Sequence, residues 1–174
     1  MRNTRTLSLL TGLLLAAMML AGCGRTIYGK YSYRVSLDAA NRDPSTQRMP
    51  SIEVDFIAVN ESERDRWLAL DIDAYFTPGN VLRANADKFT MSFTDQRSQP
   101  QELSASDPIW QKWQRAGARS MFILASIPMR GEKPPVDPRR LDLPLDQARW
   151  DATKIDVLIK PSGVVRQTPM RPAK

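Results

Sequence analysis

Apolar and polar residues alternate with a period of two along several short stretches of this chain, and those stretches predict its strands. Tyr31, Tyr33, Val35 and Leu37 alternate with Ser32, Arg34 and Ser36. Successive side chains of a strand point to opposite faces, so this pattern marks one that is half buried. Ile52, Val54 and Phe56 alternate with Glu53 and Asp55, and apolar sequence continues from Ile57 to Val59. Phe89, Met91 and Phe93 alternate with Lys88, Thr90, Ser92 and Thr94. From Ser120 to Ile127 the run is nearly continuous and apolar, as in a central strand covered on both faces. Leu141, Leu143 and Leu145 alternate around Asp142 and Pro144, and the proline confines that strand to an edge. Ile155, Val157 and Ile159 form another strand. After the turn Pro161-Ser162-Gly163, Val164-Val165 add a short one.

Two helices interrupt the strands. Asn60 is placed as an N-cap with Glu63 three residues on, and Trp67, Leu68 and Leu70 supply the apolar face. Asp107-Pro108 opens the second helix, Ile109, Trp110 and Trp113 share one face of it, and Gly117 is placed to end it. The stretch to Phe76 is ambiguous, and Thr77-Pro78-Gly79-Asn80 is a turn. A long polar loop, Asp38 to Pro50, joins the first two strands, and an extended Pro-rich loop runs from Pro128 to Pro144. Six or seven short strands with two inserted helices describe a mainly β protein, an antiparallel β-sandwich with short helical insertions. A small α+β domain with one open sheet is the alternative architecture.

The N-terminus changes the picture. Arg2 and Arg5 precede an apolar run, Leu7 to Leu20, too short for a comfortable membrane span and laid out as a secretory signal. Its end, Leu20-Ala21-Gly22-Cys23, resembles a bacterial lipobox, where cleavage before the cysteine is accompanied by acylation of its thiol. That resemblance implies a lipoprotein anchored through Cys23, and with Gly24 following, the periplasmic face of an outer membrane. Two or three acyl chains anchor stably where one does not. The domains expected are a signal peptide at 1–22, the lipidated cysteine and tether at 23–30, the β-sandwich at 31–167 and a flexible tail at 168–174. Tyr31 and Tyr33 fit the strand alternation, so among the nearby tyrosines only Tyr28 is free to sit at headgroup level.

Composition narrows the chemistry. Of 174 residues none is histidine and one is cysteine, which removes the commonest general base, the commonest metal ligand and any disulfide. Without the signal the formal charge falls from +6 to +4 and its carriers are scattered, so no nucleic-acid partner is expected. No catalytic residue, metal site or cofactor is assigned. Asp71-x-Asp73 has the spacing of a metal-binding pair, but nothing nearby completes a site, and two solvated carboxylates flanking buried Ile72 is the simpler reading. Trp67, Trp110, Trp113 and Trp150 are read as core, the alternative being a stacking surface for a sugar or peptide.

Taken in order, these elements resemble the outer-membrane lipoprotein of type VI secretion systems. The resemblance is carried by the lipobox, the first strand, the loop Asp38-Ala39-Ala40-Asn41-Arg42-Asp43-Pro44 through Pro50, the strand Ile52 to Val59 and the aromatic end Asp73-Ala74-Tyr75-Phe76. Phe122-Ile123-Leu124-Ala125, Leu141 to Leu145 and Ile155 to Ile159 continue it. The Pro128 to Pro144 stretch departs from the family, as does Arg149-Trp150, which reverses a Trp-Arg pair. The resemblance implies a transthyretin-like β-sandwich, no enzymatic activity, and contact with the periplasmic domain of an inner-membrane secretion protein. It places that contact at Asn41, Arg42, Asp43, Pro44 and Arg48. The alternative is a periplasm-facing lipoprotein that binds a small ligand, glycan or peptide.

Overall fold

A computed structural model of the chain describes residues 31–129 and 134–172. Cys23 and the signal and tether residues lie outside the described residues. Eight strands form two four-stranded sheets. The first has the order β4 (Gln101–Leu103), β1 (Ser32–Leu37), β7 (Lys154–Lys160), β8 (Gly163–Arg166). The second has the order β3 (Lys88–Phe93), β2 (Ile52–Val59), β5 (Ser120–Ala125), β6 (Arg140–Pro144). The sandwich expected from the alternation is therefore formed, with β5 buried throughout and β6 at an edge.

Tyr33, Val35, Leu103, Ile155, Val157 and Ile159 of the first sheet meet Ile52, Val54, Phe56, Met91, Phe93, Met121 and Ile123 of the second. The register puts each of these on the inward face, as the period of two requires. One pair departs from a wholly antiparallel arrangement: β1 and β7 run parallel, Tyr33 opposite Ile155 and Val35 opposite Val157. Strand direction is not encoded in alternation, and the long chain between these two strands leaves ample room for the crossover a parallel pair needs.

Between β2 and β3 lies a helical layer: α1 (Glu61–Leu68), α2 (Ile72–Phe76) and α3 (Val81–Asn85). Asn60 caps α1, its side chain accepting from the Glu63 N–H. The ambiguous stretch resolves as α2, capped by Asp71. Neither α3 nor β4 is visible in the alternation: each spans at most five residues, too few for a period to show, and tertiary contacts decide them. α4 (Ile109–Arg115) closes one end of the inter-sheet core with Trp110 and Trp113, Asp107 accepting from the Ile109 N–H at its start. Gly117 ends it at φ +67°, with Gly117 N–H to Gln114 C=O and Ala118 N–H to Trp113 C=O satisfying the last carbonyls.

Along the β6–β8 side, the Val164 N–H donates to Pro138 C=O at 2.8 Å. Gly163 is required there: its φ is +143°, and a Cβ would fall 2.4 Å from the Pro138 oxygen. Residues from Thr168 to Arg171, read from sequence as the start of a flexible tail, are docked. The Thr168 hydroxyl accepts from the Asp156 N–H, Met170 bridges Trp150, and the Arg171 N–H donates to Arg149 C=O. Backbone pairing holds this segment, which its polar composition does not reveal.

Candidate partner-binding site

The loop from Asp38 to Pro50 leaves the end of β1 and folds into a small closed ring. Asp38 N–H donates to Ile159 C=O at 2.9 Å, tying the loop root to β7. A 3-10 turn, Ala39–Asn41, follows, capped by the Asp38 carboxylate. The Asn41 amide is turned inward: Nδ2 donates to Ile159 C=O at 2.7 Å and to Asp38 C=O, and the residue is buried. Asn41 thus brackets the loop to the sheet, leaving Arg42, Asp43, Pro44 and Arg48 exposed.

Asp43 organises the ring. One carboxylate oxygen accepts from the N–H and hydroxyl groups of both Ser45 and Thr46. These bonds, the Ser45 hydroxyl foremost, draw its pKa down to about 2. Asp43 N–H to Arg48 C=O and Gln47 N–H to Asp43 C=O close the ring, with Gln47 in the left-handed region at φ 58°. Arg42 Nη1 donates to Gln47 C=O at 2.9 Å and lies 3.7 Å from Asp95. Asp95, in the β3–β4 connection, also accepts from the Met49 N–H. No sequence signal links Asp95 to this loop, because the link depends on sheet order. The arrangement can present two guanidinium groups and a proline on a preordered frame, which suits protein contact. The long polar composition of the loop is the signal that located it.

The other residues singled out from sequence have structural partners. Asp71 caps α2, and Asp73 pairs with Arg139 at 2.5 and 2.9 Å. Trp67, Trp110, Trp113 and Trp150 are all at most 5% exposed. The indole N–H groups of Trp110, Trp113 and Trp150 donate to the carbonyls of Ser104, Asp87 and Pro144. They are core, as read from sequence.

Two buried charge clusters were not legible. Asp55, fully buried, accepts from Tyr75 Oη, Thr90 Oγ1 and Arg83 Nε at 3.0, 2.6 and 2.8 Å. Burial, then the Asp55 charge, pushes the Tyr75 phenol up. Arg139, 3% exposed, bridges Asp73 and Asp137, and these bonds raise its pKa further above the ordinary guanidinium value. Both clusters fasten the helical layer to the second sheet. Asp55 alternates in β2 like any solvent-facing residue, and only the layer packed over it makes it buried. Among the described residues, no helix is long and apolar enough to cross a membrane.

No family model and no curated protein matches the sequence. Solved structures do. A chain of the structure of the T6SS protein TssM C-terminal domain (869–1107) from EAEC superposes with a TM-score of 0.51, at 13% identity, covering 78% of this chain and 98% of that one. The chain shares that fold. It is also similar to Serratia marcescens Lip, a membrane-bound component of the type VI secretion system (TM-score 0.48, 14% identity, 78% and 95% covered). The T6SS lipoprotein TssJ1 from Pseudomonas aeruginosa is a further relative in structure (TM-score 0.49, 9% identity, 83% and 97% covered). At these identities the likeness is one of fold.

Proposed function

We propose that the chain is a lipid-anchored structural component of a type VI secretion envelope complex, held through Cys23 at the periplasmic face of the outer membrane. Its Asp38–Pro50 loop binds the periplasmic part of an inner-membrane partner, with Arg42, Asp43, Pro44 and Arg48 at the contact and Asn41 bracing it from below. The observation that carries this reading is a lipobox-like ending, Leu20-Ala21-Gly22-Cys23, placed directly ahead of a β-sandwich with this fold. The loop geometry supports it. β1 runs from Ser32 to Leu37, so the loop emerges at the end of that strand remote from the anchor, where a periplasmic partner would meet it. Its ring of local hydrogen bonds also lowers the ordering cost of binding. A ligand-binding lipoprotein would need tryptophans presented in a cleft, and their burial does not favour that.

Cross-linking and affinity purification of the native protein from its own cells tests the proposal, with Cys23→Ser and the double variant Arg42→Glu, Arg48→Glu as controls. Recovery of type VI secretion core proteins, reduced by loss of the anchor and about tenfold by the loop charge reversal, is the expected result. Recovery of unrelated envelope proteins only, or an unchanged set with the charge-reversed loop, would overturn it.

A further inference from the structure

The Asp38–Pro50 loop is tied to the rest of the sandwich at both of its ends, by different means. Its entry leg is held to β7, where the Asp38 N–H and the Asn41 amide both donate to Ile159 C=O. Among the described residues, every hydrogen bond made by Arg42 to Met49 stays inside the loop except one. The exception is the Met49 N–H, which donates to Asp95 Oδ1 at 2.9 Å. No neighbouring amide can take its place: the Arg48 N–H is turned to Thr46 Oγ1, and Pro50 has no N–H.

Asp95 is itself firmly placed. It is the second residue of a reverse turn, Thr94-Asp95-Gln96-Arg97, that follows directly on β3. The Thr94 N–H donates to Arg97 C=O, and the Arg97 N–H to Thr94 C=O and to the Thr94 hydroxyl. The position of this carboxylate is therefore set by the second sheet and not by the loop.

The same carboxylate oxygen lies 3.7 Å from Arg42 Nη1. Nη1 also donates to Gln47 C=O at 2.9 Å, so one nitrogen of the guanidinium is held by both the loop and the turn. A guanidinium is a planar fork of five N–H donors, and the Nε–Nη2 edge of Arg42 has no partner among the described residues. Because the group is planar, holding Nη1 also sets the direction of that edge. Such an edge receives a carboxylate through two parallel bonds. Asp95 offsets the Arg42 charge at this spot, so the direction of the fork, and not net charge, would select what binds.

From this geometry we infer that Asp95 is a positioning residue for the partner contact: it pins the exit leg of the loop and aims the free edge of Arg42 at a carboxylate of the partner. The inference rests on the loop contact proposed above. It adds the group recognised and a residue, outside the loop, on which recognition depends.

Recovery of secretion core proteins with the native lipoprotein, compared across variants, tests it. Arg42→Ala and Asp95→Ala should each lower recovery about tenfold. The double variant should stand near the single ones and not about a hundredfold down, because Asp95 acts through Arg42. Arg42→Lys keeps the charge without the fork and should lose nearly as much as Arg42→Ala. Asp95→Asn keeps an acceptor for the Met49 N–H and should restore most of the recovery. In the purified lipoprotein, exchange of the Met49 amide should quicken about tenfold in Asp95→Ala and return towards the parental rate in Asp95→Asn. Parental recovery or an unchanged Met49 rate in Asp95→Ala would overturn the inference. So would additive losses in the double variant, or full recovery with Arg42→Lys. Each of these leaves the loop contact standing. Unchanged recovery with the charge-reversed loop would instead remove the loop contact itself, and the inference with it.

Discussion

The two faces of the β3-β2-β5-β6 sheet are covered in different ways. Its inner face meets the other sheet through apolar side chains, Phe56 edge-on to Tyr33 and Tyr33 stacked on Trp110. Its outer face carries a smaller cluster, Ile57, Val59, Phe122 and Leu124 beneath Trp67, Ile72 and Tyr75. That outer layer is pinned by charge. Arg83 holds Asp55 from α3, Arg139 holds Asp73 of α2, Arg64 of α1 holds Asp142, and Arg140 donates to Trp67 and Leu70 carbonyls. The difference shows how a sheet can be sealed on both sides when one side lacks a second sheet. Short helices bury too little apolar area to hold themselves in place, and guanidinium–carboxylate bonds with one partly or fully buried partner fix their position.

Removing Asp55 is the strongest way to break this contrast. Asp55→Ala leaves Arg83, Tyr75 and Thr90 without their shared acceptor and is expected to cost about 3–5 kcal/mol, read as a lower urea midpoint. A loss below about 1 kcal/mol would mean that charge does not secure the layer. Adjacent residues of β5 sharpen the comparison, because Ile123 faces the inner core and Leu124 the outer one. Ile123→Ala and Leu124→Ala should each cost about 2–5 kcal/mol. If the layers unfold together both variants keep the parental m-value, whereas a reduced m-value for Leu124→Ala alone would show the helical layer separating first.

A smaller effect is expected at Tyr33. Its hydroxyl is fully buried without a hydrogen-bond partner, so burial pushes the phenol far up and the polar atom carries an uncompensated cost. Tyr33→Phe should therefore gain about 1 kcal/mol in chemical denaturation. A loss of stability would reveal a partner for that oxygen.

The smallest effect is local, in the loop. Asp43 should titrate near 2 when followed by carboxyl NMR, against 3.8 for an ordinary aspartate. Its folded value is depressed, so the ring is fully held above the ordinary carboxylate range and loosens only as pH falls through about 2. Asp43→Ala should speed exchange of the Ser45 and Thr46 amides while leaving the melting temperature in place. A midpoint near 3.8 would show that the ring is open in solution.

Much of the sandwich was legible because its evidence is local. β2 spans Ile52–Val59 as its alternation indicates, β5 is buried as its continuous apolar run requires, and Asn60 and Gly117 bound their helices through backbone chemistry fixed by residue type. The loop was legible as a long polar insertion, but the inward turn of Asn41 was not, because its acceptor is Ile159, distant in sequence. Asp55 and Arg139 escaped for the same reason. Asp55 looks like an ordinary surface charge until Tyr75 of α2 and Arg83 of α3 close over it, and Arg139 until Asp73 and Asp137 meet it.

The sequence by itself determined which residues alternate, where α1 begins and where α4 ends, that the chain holds no histidine and a single cysteine, and that Leu20-Ala21-Gly22-Cys23 resembles a lipobox. Those properties depend on neighbours a few residues apart, within reach of one turn or one pleat. Only the tertiary structure decided that β1 and β7 run parallel, that Asp55 and Arg139 are buried clamps, and that the chain from Thr168 to Arg171 is docked. Each of those depends on residues brought together from across the chain, and on a pairing energy that exists only once both partners have left water.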